Sequence, residues 1–218
     1  MRFLQPRYLI IVVALVAGVT AGVLIAQSRS ASPATSAVQV APPVGEPQVT
    51  WAAGARAAPD FALTDQAGAP ISLGRFKGRP VIVTFIDPLC RNLCPLEAKI
   101  LERAVVSLPA AQRPEIVSVS VNQWANARRY LLQDVAKWNL HTNWHWAVGP
   151  EPALAKVWRA YQIGVQDSPR TVAGVTVHEI AHTEASYVVD REGNARALFL
   201  YPFTAKQLAA TLHQLAGA

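Results

Sequence analysis

The chain has 218 residues, two cysteines, a single methionine and a formal charge of +6. So few cysteines exclude a disulfide scaffold, and a lone Met1 excludes a methionine-rich copper arm. The positive charge is scattered, with no basic stripe interleaved with aromatics, so nucleic-acid binding finds no support; a solvated surface attracted to anionic lipid or an acidic partner remains.

In chain order, residues 1–7 carry Arg2 and Arg7 and precede Tyr8–Ala26, a run of nineteen residues without charge. That is close to the ~20 a spanning helix needs and longer than the roughly 7–15 of a signal-peptide core. The expectation is a single-pass anchor over 8–26, with residues 1–7 in the cytoplasm and the remainder exported. Small residues after the run keep a cleaved signal as the alternative. Residues 27–58, rich in Ala, Ser, Pro and Val, read as a flexible linker averaging roughly 30 Å in span.

A folded domain is expected over 59–218. Turn chemistry at Gln66–Pro70 separates two short extended pieces. Val81–Ile86 is a continuous apolar, β-branched run and predicts a buried strand. Behind it, Leu96, Ile100, Leu101, Ala104, Val105 and Leu108 recur at helical spacing. Residues 115–121 predict a second buried strand, 127–138 a helix, 144–148 a short strand and 151–161 another helix. Residues 166–181 read as an irregular polar insertion. Two strands at 184–189 and 195–200 flank the hairpin turn Asp190–Asn194, and Thr204 caps a last amphipathic helix. Strands alternating with helices, with such apolar strands, imply a parallel α/β core.

Cys90 and Cys94, set C-x3-C apart, fall on the turn between the first buried strand and its helix. Pro95 suits that helix's first turn. Thiols at the positive end of a helix dipole favour the thiolate, which is a reactive or metal-binding placement. Other readings are a short-loop disulfide, two small core residues, or half of a zinc site.

This order of elements, with a dithiol ahead of the first helix and a terminal hairpin ahead of the last, resembles the thioredoxin-like fold. Pro59-Asp60-Phe61, Gly68, Ser72-Leu73 and Phe76-Lys77-Gly78 are similar to the entry segment of its redoxin branch. Cys90-x3-Cys94-Pro95 together with His182-Thr183, Tyr187 and Gly193 resembles the Sco/SenC family. The resemblance implies a three-layer fold with a central mixed sheet, and copper ligation by Cys90, Cys94 and His182. It also implies a membrane-tethered chaperone for the copper centre of cytochrome c oxidase. The ion would be Cu(I) or Cu(II), the partners a copper-receiving oxidase subunit or other copper protein and a thiol–disulfide reductant. The location would be the extracytoplasmic side of the inner membrane. Two thiolates and an imidazole suit soft copper(I). The chain departs from the family at Arg91 and Asn92, where Pro and Asp are usual, at Ala181 in place of Asp, and at Asn122-Gln123 in place of Asp-Pro. Arg91 is expected to depress thiol pKa and repel a cation.

The rival reading is a thiol–disulfide oxidoreductase with Cys90 and Cys94 as its redox pair. His178-Glu179-Ile180-Ala181-His182 matches the zinc-protease pattern H-E-x-x-H, which needs a helix; the β-branched surroundings predict none. His178 reads as a surface residue or an auxiliary ligand. His141, His145 and His213 read as polar turn or helix-surface residues, Trp138, Trp144, Trp146 and Trp158 as core, and Asp87 as a turn residue.

Overall fold

The run Val81–Ile86 forms a central strand buried along its whole length, and the rest of the fold is layered on it. The structure is a computed structural model and describes residues 46–140 and 143–216. The anchor expected over 8–26, residues 1–7, the first part of the linker and His141 lie outside the described residues. Among the described residues no helix is long and apolar enough to cross a membrane.

The strands are β1 (Val49–Thr50), β2 (Leu63–Thr64), β3 (Pro70–Ile71), β4 (Val81–Ile86), β5 (Glu115–Ser120), β6 (Trp144–Ala147), β7 (Val165–Val172), β8 (Val175–His182), β9 (Ala185–Val189) and β10 (Ala195–Leu200). The helices are α1 (Leu93–Val106), α2 (Arg128–Trp138), α3 (Glu151–Ala160) and α4 (Ala205–Ala216). The main sheet runs β1-β10-β9-β4-β5-β6. Its β4-β5-β6 part is parallel, and β9, β10 and β1 are antiparallel to their neighbours.

Strand alternation sends β4 to both faces. Val81, Val83 and Phe85 join Leu154 and Val157 of α3 and Leu63 and Ile71 of the small β2-β3 hairpin. Ile82 and Ile86 join α1, Leu131 and Trp138 of α2, and Leu208 and Leu212 of α4. The result is the expected three-layer α/β arrangement with a mixed central sheet. The last helix opens with a capping box: Gln207 N–H donates to Thr204 Oγ1 at 3.3 Å and Thr204 N–H donates to Gln207 Oε1 at 3.0 Å. In the β9-β10 turn, Asp190 Oδ1 accepts from the N–H of Glu192 and Asn194, and Gly193 takes φ +90.

Three expectations are corrected. Residues 166–181 are not irregular; β7 and β8 pair in register from Val165–His182 to Val172–Val175. Their turn is Ala173-Gly174, both at positive φ, and the ribbon is largely exposed, so neither a familiar turn pair nor apolar alternation announced it. The sheet also begins ahead of Pro59, because β1 adds to β10 from a stretch whose composition reads as linker. Trp51 there packs against the core and stacks on Tyr187 at 6.4 Å.

The third correction concerns α1. Leu96 is 49% exposed, while Cys94, Glu97, Ala98, Leu101 and Val105 face the sheet. Leu101, Ala104, Val105 and Leu108 are buried as the spacing predicted and Ile100 packs against them, so Leu96 alone departs from the stripe. Putting Cys94 against the sheet rotates Leu96 outward and a carboxylate inward.

Candidate metal centre

The dithiol turn leaves the C-terminal end of β4, where the parallel part of the sheet meets its antiparallel part. Crevices outside the carboxyl ends of parallel strands are where α/β sheets place ligands. Asp87 shapes the turn, as its position suggested: Oδ1 accepts from Leu89 N–H at 2.8 Å and from Asn122 Nδ2 at 2.9 Å. Asn122 follows β5, so the ends of two neighbouring strands are tied. Asn92 then caps α1, with Oδ1 accepting Leu93 N–H at 2.8 Å.

Both thiols are free, Cys94 buried in the first turn of α1 and Cys90 half-buried ahead of it. The pair shares its protons unequally. Cys90 is pulled down to about 6, first by the Cys94 thiol donating to it, against burial, and then by the N–H groups of Cys94, Asn92 and Leu93. Cys94 N–H lies 3.4 Å from Cys90 Sγ. As a thiol, Cys90 donates instead to Asn92 Oδ1 at 2.9 Å. Cys94 is pushed far up, by its role as donor to Cys90 and by burial. At neutral pH the pair holds one thiolate and one thiol.

His182 and Glu184 reach this turn through strand register. β9 runs antiparallel to β4 with Ser186 opposite Thr84, so the chain just ahead of β9 passes beside the chain just after β4. Period-two alternation puts Glu184, His182 and Ser186 on one side. Cys94 Sγ and His182 Nε2 are 3.9 Å apart, across 88 residues of sequence. Ligand atoms of Cys94, His182 and Glu184 all lie within 4.8 Å of one another. Thr183 fixes the approach: its N–H donates to Gly164 O at 2.9 Å and its Oγ1 accepts Gly164 N–H at 3.1 Å.

The imidazole is in the form a metal needs. Its Nδ1 sits 3.2 Å from Thr183 O. A carbonyl only accepts, so Nδ1 carries the proton and Nε2 has its lone pair toward the sulfur. Burial lowers the pKa of His182, only partly opposed by Thr183 O and the Asp87 charge, which keeps the ring neutral at pH 7. Glu184 is raised, by burial and then by the Cys90 thiolate.

Arg91 does not aim at the sulfurs. Its guanidinium donates to Pro88 O at 3.1 Å and to Cys90 O at 3.0 Å, and approaches Asp134 on α2. Arg91 is not among the largest causes that lower Cys90. H-E-x-x-H lies on β8, where four residues span about 13 Å, so His178 and His182 cannot grip one ion. His178 instead pairs with Asp167, and His145 with Glu115.

Two residues of the site escaped the sequence reading. Glu184 had a signal, since H-x-E leading into a strand puts both side chains on one side. Glu97 had none, because a glutamate on a helix is ordinarily solvated. It is fully buried, with Oε1 accepting from Thr84 Oγ1 at 3.0 Å and Ser186 Oγ at 2.9 Å. Burial raises it to about 7, against those two hydroxyls.

Residues 50–217 match the family model described as SCO1/SenC. The chain belongs to the SCO1/SenC family. No curated protein sequence matches it. Solved SCO1/SenC structures share its fold. Bradyrhizobium japonicum ScoI with copper bound has 22% identity and a TM-score of 0.62, over 73% of this chain and 99% of that one. Yeast Sco1 with copper bound has 15% identity and a TM-score of 0.66, over 75% and 90%. The thioredoxin domain of a thiol–disulfide oxidoreductase from Bacteroides vulgatus follows the same fold at 18% identity and a TM-score of 0.54, over 77% and 98%. The thioredoxin-like α/β fold expected from the order of elements is thus the one the SCO1/SenC domain adopts.

Proposed function

We propose that this chain carries copper, held by Cys90, Cys94 and His182, and passes it to a copper-receiving protein. The observation that carries the reading is the 3.9 Å approach of Cys94 Sγ to His182 Nε2, beside a second sulfur already drawn down to about 6. Two soft sulfurs and a neutral imidazole are the donor set copper(I) favours, and a site with few ligands gives up its ion by exchange. The copper-bound relatives add support.

Each residue has a definable part. Cys90 supplies a standing thiolate. Cys94 must lose its proton as the ion arrives, and the Glu184 carboxylate, within 4.8 Å of the sulfur, is placed to relay it to solvent. Cation binding thereby releases a proton from the centre. By the same reading, Tyr8–Ala26 anchors the domain in the inner membrane, the domain lies on the extracytoplasmic side, and the recipient is the oxidase subunit whose copper centre is being assembled.

The test is titration of the reduced chain with Cu(I) against a competing chelator. One ion should bind per chain, and His182→Ala should weaken it by at least about 10-fold, because loss even of a group that only orients a ligand costs about 10–100-fold. Equal affinity in the variant would sink the assignment. Loss of oxidase activity on deletion, rescued by added copper, would place the protein in oxidase assembly.

A second reading rests on the unequal thiols. The Cys90 thiolate attacks a partner disulfide, forming a mixed disulfide and releasing one partner thiolate. Cys94 then attacks Cys90 Sγ, closing the Cys90–Cys94 disulfide and releasing the second thiolate. The partner is reduced by two electrons, and a thiol reductant restores the dithiol. Metal-free turnover of a disulfide substrate would favour it.

A further inference from the structure

The cleft that holds the dithiol extends along β8 to a second imidazole that the reading above leaves unused. Its volume is about 810 Å³, with Cys90 and His182 among its walls and His178 and Trp124 further along them. His178 and His182 occupy the same face of β8, about 13 Å apart along the strand. They are two positions rather than one site.

His178 is held as metal-binding histidines usually are. Its Nδ1 lies 2.8 Å from Asp167 Oδ2 on the paired strand β7. A carboxylate only accepts, so Nδ1 carries the proton and Nε2 is the ring nitrogen left to bind an ion. Trp124 Nε1–H donates to the same Oδ2 at 3.2 Å, and the indole stacks on the imidazole at 4.2 Å and 23°. The ring is therefore fixed on one edge and one face. Its Nε2 has no hydrogen-bond partner among the described residues.

We propose that His178 Nε2 is a separate, transient copper-binding position, which the ion contacts on its way into the Cys90–Cys94–His182 centre and again on leaving. This rests on the copper reading above. One protein nitrogen gives weak, quickly exchanging binding, with the other positions filled by the donor's or recipient's own ligands. Copper would thus move between proteins by ligand replacement, without being released as a free ion. The group that orients the nitrogen also rigidifies the ribbon, so a purely structural clasp is the competing account.

Asparagine separates the two accounts. Its amide nitrogen stands near the place of Nδ1 and can keep the bond to Asp167, while Nε2 is lost. The full chain in detergent, reduced, is mixed with Cu(I)–glutathione, and uptake is followed by thiolate-to-copper absorbance. His178→Asn should slow uptake about tenfold, with the final affinity against a chelator unchanged. Trp124→Leu, which keeps the nitrogen, should load close to the wild-type rate. Wild-type uptake by His178→Asn overturns the proposal, as does equal slowing in both variants with equal loss of thermal stability. His182→Asn tests the parent reading separately: unchanged affinity there removes the ligand set whatever His178 does to the rate.

Discussion

Arg91 turns its charge away from the neighbouring sulfur and toward Asp134, with Nη1 3.7 Å from Oδ1 of a side chain only 1% exposed. Asp134 is nevertheless raised to about 6, because burial outweighs the guanidinium. An arginine beside a proposed copper ligand looks like an electrostatic obstacle in one dimension. In three it is a counter-charge for a carboxylate on the next helix.

Removing that counter-charge should act on stability and not on the thiol. Arg91→Ala is expected to cost about 1 kcal/mol at pH 8, given that the arginine is half exposed. The loss should shrink toward pH 5, where Asp134 is protonated. Urea midpoints at the two pH values measure it, and the alkylation midpoint of Cys90 should stay in place.

The reactivity of Cys90 should follow a thiolate midpoint near 6, read from the rate of iodoacetamide alkylation against pH. Cys94→Ala removes the strongest donor to that thiolate and should move the midpoint upward by the largest amount. Asn92→Asp should also move it upward, since an anion two residues away disfavours a second one. A downward shift in either variant contradicts the proton sharing described for the pair.

Glu97 gives stability a pH dependence of its own. Its folded value of about 7 stands above the ordinary 4.5, so the folded state keeps this proton while the unfolded state has lost it. Its contribution is complete below about pH 4.5 and falls away as pH rises through 7. Glu97→Gln keeps an acceptor for Thr84 and Ser186 and cannot ionise. The variant should be more stable than the parent at pH 8, by as much as a few kcal/mol, and nearly equal to it at pH 4.5, as followed by chemical denaturation.

The rotation of α1 predicts an asymmetry between two leucines. Leu96→Ala should change stability by no more than about 0.5 kcal/mol, as exposed substitutions do. Leu101→Ala, at a fully buried position, should cost about 2–5 kcal/mol. Thermal melts of the two variants suffice, and equal losses would mean that the helix faces the sheet differently.

What the amino-acid order determined by itself was local. Buried strands such as Val81–Ile86 were legible because an unbroken β-branched run has few other fates, and the helices because their apolar spacing repeats every turn. The placement of Cys90 and Cys94 on a strand-to-helix turn needed only a proline and a dipole. The β7-β8 ribbon was hidden because a strand exposed on both faces carries no alternation to read.

Tertiary structure decided what those pieces do together. The register of β9 on β4 brings His182 and Glu184 to the sulfurs, and register is a property of two strands, invisible in either one alone. The packing angle of α1 chose Glu97 over Leu96 for the interior, and α2 gave Arg91 its partner. Side-chain chemistry is written along the chain, but its electrostatic meaning depends on which distant groups share the same low-dielectric space. Only folding supplies those neighbours.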